Sequence, residues 1–90
     1  MFDKATRTLI AMLFERSTVN EISGNLDDGR GYSVNCRRPT PYLDYTFYDG
    51  YIAGCYDDFR GDTLDETLDK MNTYLAAHPV AMVLVTEATA

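Results

Sequence analysis

The stretch Tyr42-Leu43-Asp44-Tyr45-Thr46-Phe47-Tyr48-Asp49-Gly50-Tyr51-Ile52-Ala53-Gly54-Cys55-Tyr56 decides how the chain is read. Two runs rich in tyrosine and β-branched or aromatic residues flank Asp49-Gly50. An Asp-Gly pair between such runs is a strong local hairpin signal, because a type I′ turn needs positive φ at both central positions. Taken as a two-residue loop, it predicts strands over 42–48 and 51–56, with Tyr48 opposite Tyr51. Alternation then sends Leu43, Tyr45, Phe47, Ile52 and Tyr56 to the core. It leaves Tyr42, Asp44, Thr46, Tyr48, Tyr51, Cys55 and Asp57 on the other face. In that register Asp44 and Asp57 form a cross-strand diagonal roughly 7–8 Å apart.

Outward from this hairpin the elements follow in order. Asp3 reads as the N-cap of a first helix ending near Arg16. Its apolar positions, Phe2, Ala5, Leu9, Ile10, Met12, Leu13 and Phe14, sweep an arc of roughly 200°, wider than a surface helix needs. Either the helix is wedged into the fold, or Ile10 and Phe14 on its flank meet a second chain in a homodimer. Residues 17–25 fit a fraying helix end or a short strand. Asp27-Asp28-Gly29-Arg30-Gly31 is a turn, and Tyr32 to Arg37 alternates as a half-buried strand. Pro39 and Pro41 interrupt before the next strand. Thr63-Leu64-Asp65-Glu66 is a capping box opening a second helix, whose Leu64, Leu68, Met71 and Leu75 recur on one face. His78-Pro79 ends it, with His78 capping carbonyls, and Val80 to Thr86 reads as a closing strand. The expectation is one α+β domain over residues 1–90, in the order α-β-β-β-α-β. A small, mainly antiparallel sheet of three to four strands carries both helices on one face.

Composition narrows the function. With 46% hydrophobic and 24% charged residues the chain is globular. The N-terminal residues do not read as a secretory signal, and no apolar run approaches the roughly 18 residues of a membrane span. A cytoplasmic setting with no membrane association is therefore expected. Cys36 and Cys55 are too few for a disulfide framework and too separated for a C-x-x-C site, and they read as free thiols. The net charge of −6 is unevenly distributed. Residues 44–69 hold eight acidic residues against Arg60 alone, whereas residues 1–38 hold six basic against five acidic. Such a block repels phosphate backbones and favours a basic protein partner over direct nucleic-acid binding.

A single histidine and two separated cysteines do not build a Ser-His-Asp or zinc site within one chain. Residues 57–69 fit no EF-hand register. Arg60-Gly61-Asp62 spells the integrin-adhesion tripeptide, with no other sign of secretion. No enzyme, metal or cofactor is expected.

What remains is a binding surface. Tyrosines bury a large area with few rotors and keep a polar tip. Carboxylates beside them pair with a partner's Arg or Lys, which sets on-rate and specificity. The expected contact residues are Tyr42, Tyr48 and Tyr51 as anchors, with Asp44, Asp57, Asp58, Asp62, Asp65 and Asp69 for charge. Asp65 and Asp69 stand one helical turn apart and repel, while Glu66 pairs with Lys70.

Three resemblances bear on the partner. Gly61-Asp62-Thr63-Leu64-Asp65-Glu66, following Asp49-Gly50, resembles the strand-to-helix join of HicB-type antitoxins, whose domains neutralise a basic RNase toxin. The element order is similar to double-stranded-RNA-binding domains, but Asp65, Glu66 and Asp69 stand where those carry a lysine-rich helix start. In size, acidity and element order the chain also resembles small phage-encoded inhibitors, anti-CRISPR proteins among them, which cover nucleic-acid-binding surfaces. These imply a non-enzymatic acidic module that blocks a basic, nucleic-acid-handling protein. An antitoxin-like module is the first alternative, and a homo-oligomeric structural or accessory protein the second.

Overall fold

A computed structural model describes residues 1–16 and 19–80. The elements run α1 (Lys4–Arg16), β1 (Glu21–Asn25), β2 (Gly31–Arg37), β3 (Phe47–Ile52) and α2 (Leu64–Ala77). The strands form an antiparallel sheet in the order β1-β2-β3. The α+β class and the helix–strands–helix order are those the sequence led us to expect. The predicted closing strand, Val80 to Thr86, lies outside the described residues apart from Val80.

Both helix starts are built locally. The Asp3 carboxylate accepts from the Thr6 amide at 2.8 Å, capping α1. Thr63 Oγ1 accepts from the Glu66 amide at 3.1 Å, and Glu66 reaches back to the Asp62 amide at 2.9 Å. At the other end of α2, the His78 amide and Nδ1 both engage the Tyr74 carbonyl, as the His-Pro ending predicted. Of the ambiguous residues 17–25, Glu21–Asn25 form β1, while 17 and 18 lie outside the described residues; β1 reaches β2 through a reversal at Asp27-Asp28-Gly29, with Gly29 at φ +88°.

The hairpin reading fails. Asp49-Gly50 is not a turn but the middle of β3, with Asn35 opposite Asp49 and Val34 opposite Gly50. Gly50 is not needed for positive φ. It is needed because a Cβ there would overlap the Met71 sulfur of α2. The glycine lets the helix lie close on the sheet. The chain reverses instead through residues 38–46, where Thr40 and Leu43 exchange backbone hydrogen bonds of 2.7 and 3.2 Å across Pro41-Tyr42. Proline suits the first central position of such a turn.

Losing the turn reverses several face assignments, since strand side chains alternate strictly. Tyr48, Gly50 and Ile52 turn toward the helices, while Phe47, Asp49 and Tyr51 turn away. Ile52 is buried as expected. Tyr48, expected on the open face, packs edge-on against Phe14 with ring centroids 5.9 Å apart. Tyr45 and Tyr56, expected in the core, are exposed, and Cys55, expected outside, is buried. Cys36 and Cys55 are both free thiols within the same core cluster.

That core lies between one face of the sheet and both helices. Phe2, Ile10 and Phe14 come from α1 and its approach, Val34, Cys36 and Ile52 from the sheet, and Leu68, Met71 and Leu75 from α2. Ile10 and Phe14, the residues expected to form a dimer interface, are 2% and 5% exposed and belong to the chain's own core. Thr67 is fully buried and donates to the Tyr48 carbonyl at 3.2 Å, so α2 is tied to β3 by a polar contact as well.

Candidate partner-binding surface

The outer face of the sheet is polar and no described element covers it. Its central row is Glu21, Asn35 and Asp49, each opposite the next across the strands. Asp49 accepts from Asn35 Nδ2 at 2.8 Å and from Arg37 Nε at 2.9 Å. That bond to Asp49 raises the Arg37 guanidinium above its ordinary pKa, with smaller contributions from Glu21 and Asp58. Phe47 would be an apolar breach in this face, but the Arg60 guanidinium lies over its ring at 3.8 Å and donates to the Tyr45 hydroxyl at 3.1 Å. Tyr51 stands half-exposed among serines.

An acidic segment runs beside this face. After Gly54, at φ +84°, the chain turns back and Gly61 exchanges two backbone hydrogen bonds with Tyr48. Between them Phe59 is buried and Tyr56, Asp57 and Asp58 are exposed, as is Asp62 just after Gly61. A Cβ on Gly61 would sit 2.8 Å from the Thr67 amide nitrogen, so this crossing passes tightly under the start of α2. Asp57 and Asp58 line a shallow depression with Asp69, Lys70, Tyr74 and His78 of the α2 side. Three of the expected carboxylates therefore meet in one place.

The others are distributed differently. Asp44 and Asp57 do not form the expected diagonal, because they lie beyond opposite ends of β3, whose six residues span about 20 Å. The hairpin that would have brought them together does not exist. Tyr42 is fully exposed at the tip of the 38–46 reversal, near Asp44 and away from the acidic segment. Tyr48 is turned inward, and burial is the main cause that raises its phenol above the ordinary pKa, followed by the Cys36 thiol. It is not a surface anchor.

Asp65 and Asp69 are bridged rather than opposed. Arg7 of α1 reaches Asp69 at 2.7 Å through Nη2 and Asp65 at 3.1 Å through Nη1. The hydrogen bond to Asp69 is the largest cause raising the Arg7 pKa, partial burial opposes it, and Asp65 adds to it. The expected Glu66–Lys70 pair is replaced by other bonds: Glu66 is held at the Asp62 amide and Lys70 donates to the Arg60 carbonyl.

Most of the cations are thus used inside the molecule. Arg7, Arg30 and Arg37 pair with aspartates. Arg38 binds the Phe14 and Val19 carbonyls, while Lys70 and Arg60 are held as described. The carboxylates of Asp44, Asp57, Asp58 and Asp62 form no ion pair among the described residues. Among the same residues, no three His, Cys, Asp or Glu side chains converge in a metal-holding group, and no helix is long and apolar enough to cross a membrane.

Sequence reasoning missed Asp49, Tyr56, Arg60 and Arg7. Gly54 was the available signal for Tyr56, since a glycine inside an apparent strand marks a bend. Arg7 lies 58 residues from Asp65, and no local pattern announces that contact. Comparison of the chain with protein-family models, curated proteins and solved structures yields no match.

Proposed function

We propose that the chain is a non-enzymatic, acidic protein-binding module that occupies a basic surface of a nucleic-acid-handling protein, in the manner of phage or mobile-element inhibitors. The observation that carries this reading is the division of charge. Most of the cations are spent on intramolecular contacts, and Asp57 and Asp58, next to the exposed Tyr56 in the chain, and Asp62 are exposed carboxylates without an ion pair among the described residues. An anionic strip held on a tight backbone crossing offers a cationic surface what a nucleic-acid backbone offers it, namely spaced negative charge with little ordering left to do. Tyr56 supplies area to bury, and Tyr51 does so on the adjoining face.

The reading is tested by capture on the immobilised protein from a host lysate at low and high salt, with identification of what is retained. Basic nucleic-acid-binding proteins should be held at low salt and displaced by added duplex DNA or RNA. The Asp57→Lys/Asp58→Lys double variant should lose them while its thermal unfolding stays as in the parent, because both side chains are exposed and unpaired within the described residues. Retention of the same proteins by that variant sinks the proposal.

A further inference from the structure

The two edges of the sheet differ. On the β3 side Tyr48 and Gly61 exchange backbone hydrogen bonds, so the returning chain lies along that edge. β1 has no such neighbour among the described residues. The Asn20 carbonyl accepts from the Cys36 amide, and the Leu26 amide donates to the Arg30 carbonyl, which fixes the phase of the ladder. Ile22 and Gly24 therefore turn their backbone groups to β2, while Glu21, Ser23 and Asn25 turn theirs outward. No described group bonds these outward donors and acceptors. Glu21-Ile22-Ser23-Gly24-Asn25 also lacks the proline or lysine that commonly blunts an edge.

The helix-facing side of this edge is apolar. Arg7 marks the side of α1 that faces α2, through Asp65 and Asp69. At 100° per residue, Ile10 of the core lies about 60° from Arg7, and Leu13 and Leu9 lie about 120° and 160° from it in the same sense. They thus flank α1 on the side away from α2. Since α2 packs on β3 and β1 is the opposite edge, that flank is on the β1 side. Leu13 is 42% and Leu9 57% exposed, and Ile22 beneath them is only partly covered.

We propose that the β1 edge is a docking site for the chain's own residues 81–86, which add to it antiparallel. The place where the described chain ends carries the assignment. Pro79 and Val80, just past α2, share a depression with Leu26 and Asp27, just past β1. β1 arrives at that point, so a chain that leaves it along the free edge runs the opposite way. Ala81-Met82-Val83-Leu84-Val85-Thr86 is apolar at both parities up to Thr86, so either register puts apolar side chains beneath Leu9 and Leu13. The lengths agree, since five residues of β1 span about 17 Å and six residues of extended chain about 20 Å. Docking closes the one edge that would otherwise offer a template to foreign strands. It takes place across the sheet from the Gly61 crossing, so the acidic segment stays open, and it stands whether or not that segment binds a basic protein.

Amide hydrogen exchange of the full chain, followed residue by residue by NMR, tests this. The inward amides of Ile22 and Gly24 are protected by β2 in any case. The amides of Glu21, Ser23 and Asn25 should be protected as well, at every protein concentration, and nuclear Overhauser contacts should join β1 to residues 81–86. In Val83→Pro/Leu84→Pro, which removes a donor of either parity, the three outward amides should lose their protection while Ile22 and Gly24 keep theirs. Outward amides that exchange in the parent as fast as unpaired ones overturn the proposal. So does protection that rises with concentration, which would identify a second copy as the occupant. Protection that survives the double proline variant overturns it too. Should that variant fail to fold, the contacts between β1 and residues 81–86 in the parent decide by their presence or absence.

Discussion

Gly50 and Gly61 show how much of this fold rests on the absence of a methyl group. At Gly50 a Cβ would meet the Met71 side chain, and at Gly61 it would meet the Thr67 backbone nitrogen and the Glu66 Cβ. A methionine can shift, whereas the first turn of a helix cannot move without its caps. Gly50→Ala should therefore lower stability by about 1–2 kcal/mol and Gly61→Ala by about 2–3 kcal/mol, read from urea unfolding. A reversed order would place the tighter helix–strand approach at β3 rather than at the crossing. Asp28 supplies a residue-scale pH dependence. Hydrogen bonds from the Arg30 side chain, then its backbone, hold the Asp28 carboxyl below its ordinary value of 3.8. A depressed folded pKa gives stability that is present above 3.8 and lost as the pH falls through the lower folded value. Melting temperatures followed from about pH 5 down to pH 2 should drop in acid, and Asp28→Asn should make that drop shallower.

At the scale of elements, α2 is specified more completely than α1. Its cap, its apolar face and its His78 ending are all local, and each appears where the spacing placed it. Thr63→Ala removes the acceptor for the Glu66 amide and should cost about 1 kcal/mol in thermal or chemical unfolding. Serine at that position should recover most of it. The contact between the helices depends instead on Arg7, which converts the repulsion between Asp65 and Asp69 into a bridge. Both aspartates are largely solvent-exposed, so Arg7→Met should cost no more than about 1 kcal/mol, and less at high salt. A loss independent of salt would mean that the stem of Arg7 matters through packing rather than charge. The wide apolar arc of α1 has the same two-sided character. One half, with Ile10 and Phe14, is core, and the other half leaves Leu9 and Met12 exposed.

For the whole molecule, the two helices cover one face of the sheet and leave the other wet. The wet face is lined by the Asn35–Asp49–Arg37 bonds and by the Arg60 cover over Phe47. Removing the cover should make that face adhesive. Arg60→Ala is expected to increase binding of an apolar dye and to promote aggregation on mild heating, with little change in helix content by circular dichroism. The acidic segment lies beside this face rather than on it, because the chain crosses back next to β3 only after Gly54. The binding surface proposed here is thus one edge of the molecule, narrower than the plate of tyrosines and aspartates that the hairpin register implied.

The α+β class, both helices with their caps, the alternation of β2 and the acidity of residues 44–69 are determined by the sequence alone, since each depends on neighbours within about one helical turn or along one strand. Tertiary structure decided the rest. Asp49-Gly50 has the local chemistry of a turn. It became strand because β2 needed an antiparallel partner, Pro41 provided a reversal nearby, and α2 required a residue without a side chain beneath Met71. Which tyrosines face outward, and which aspartates keep free charge, followed from that one choice. Contacts between residues far apart in the chain outweighed a preference worth little more than a single turn.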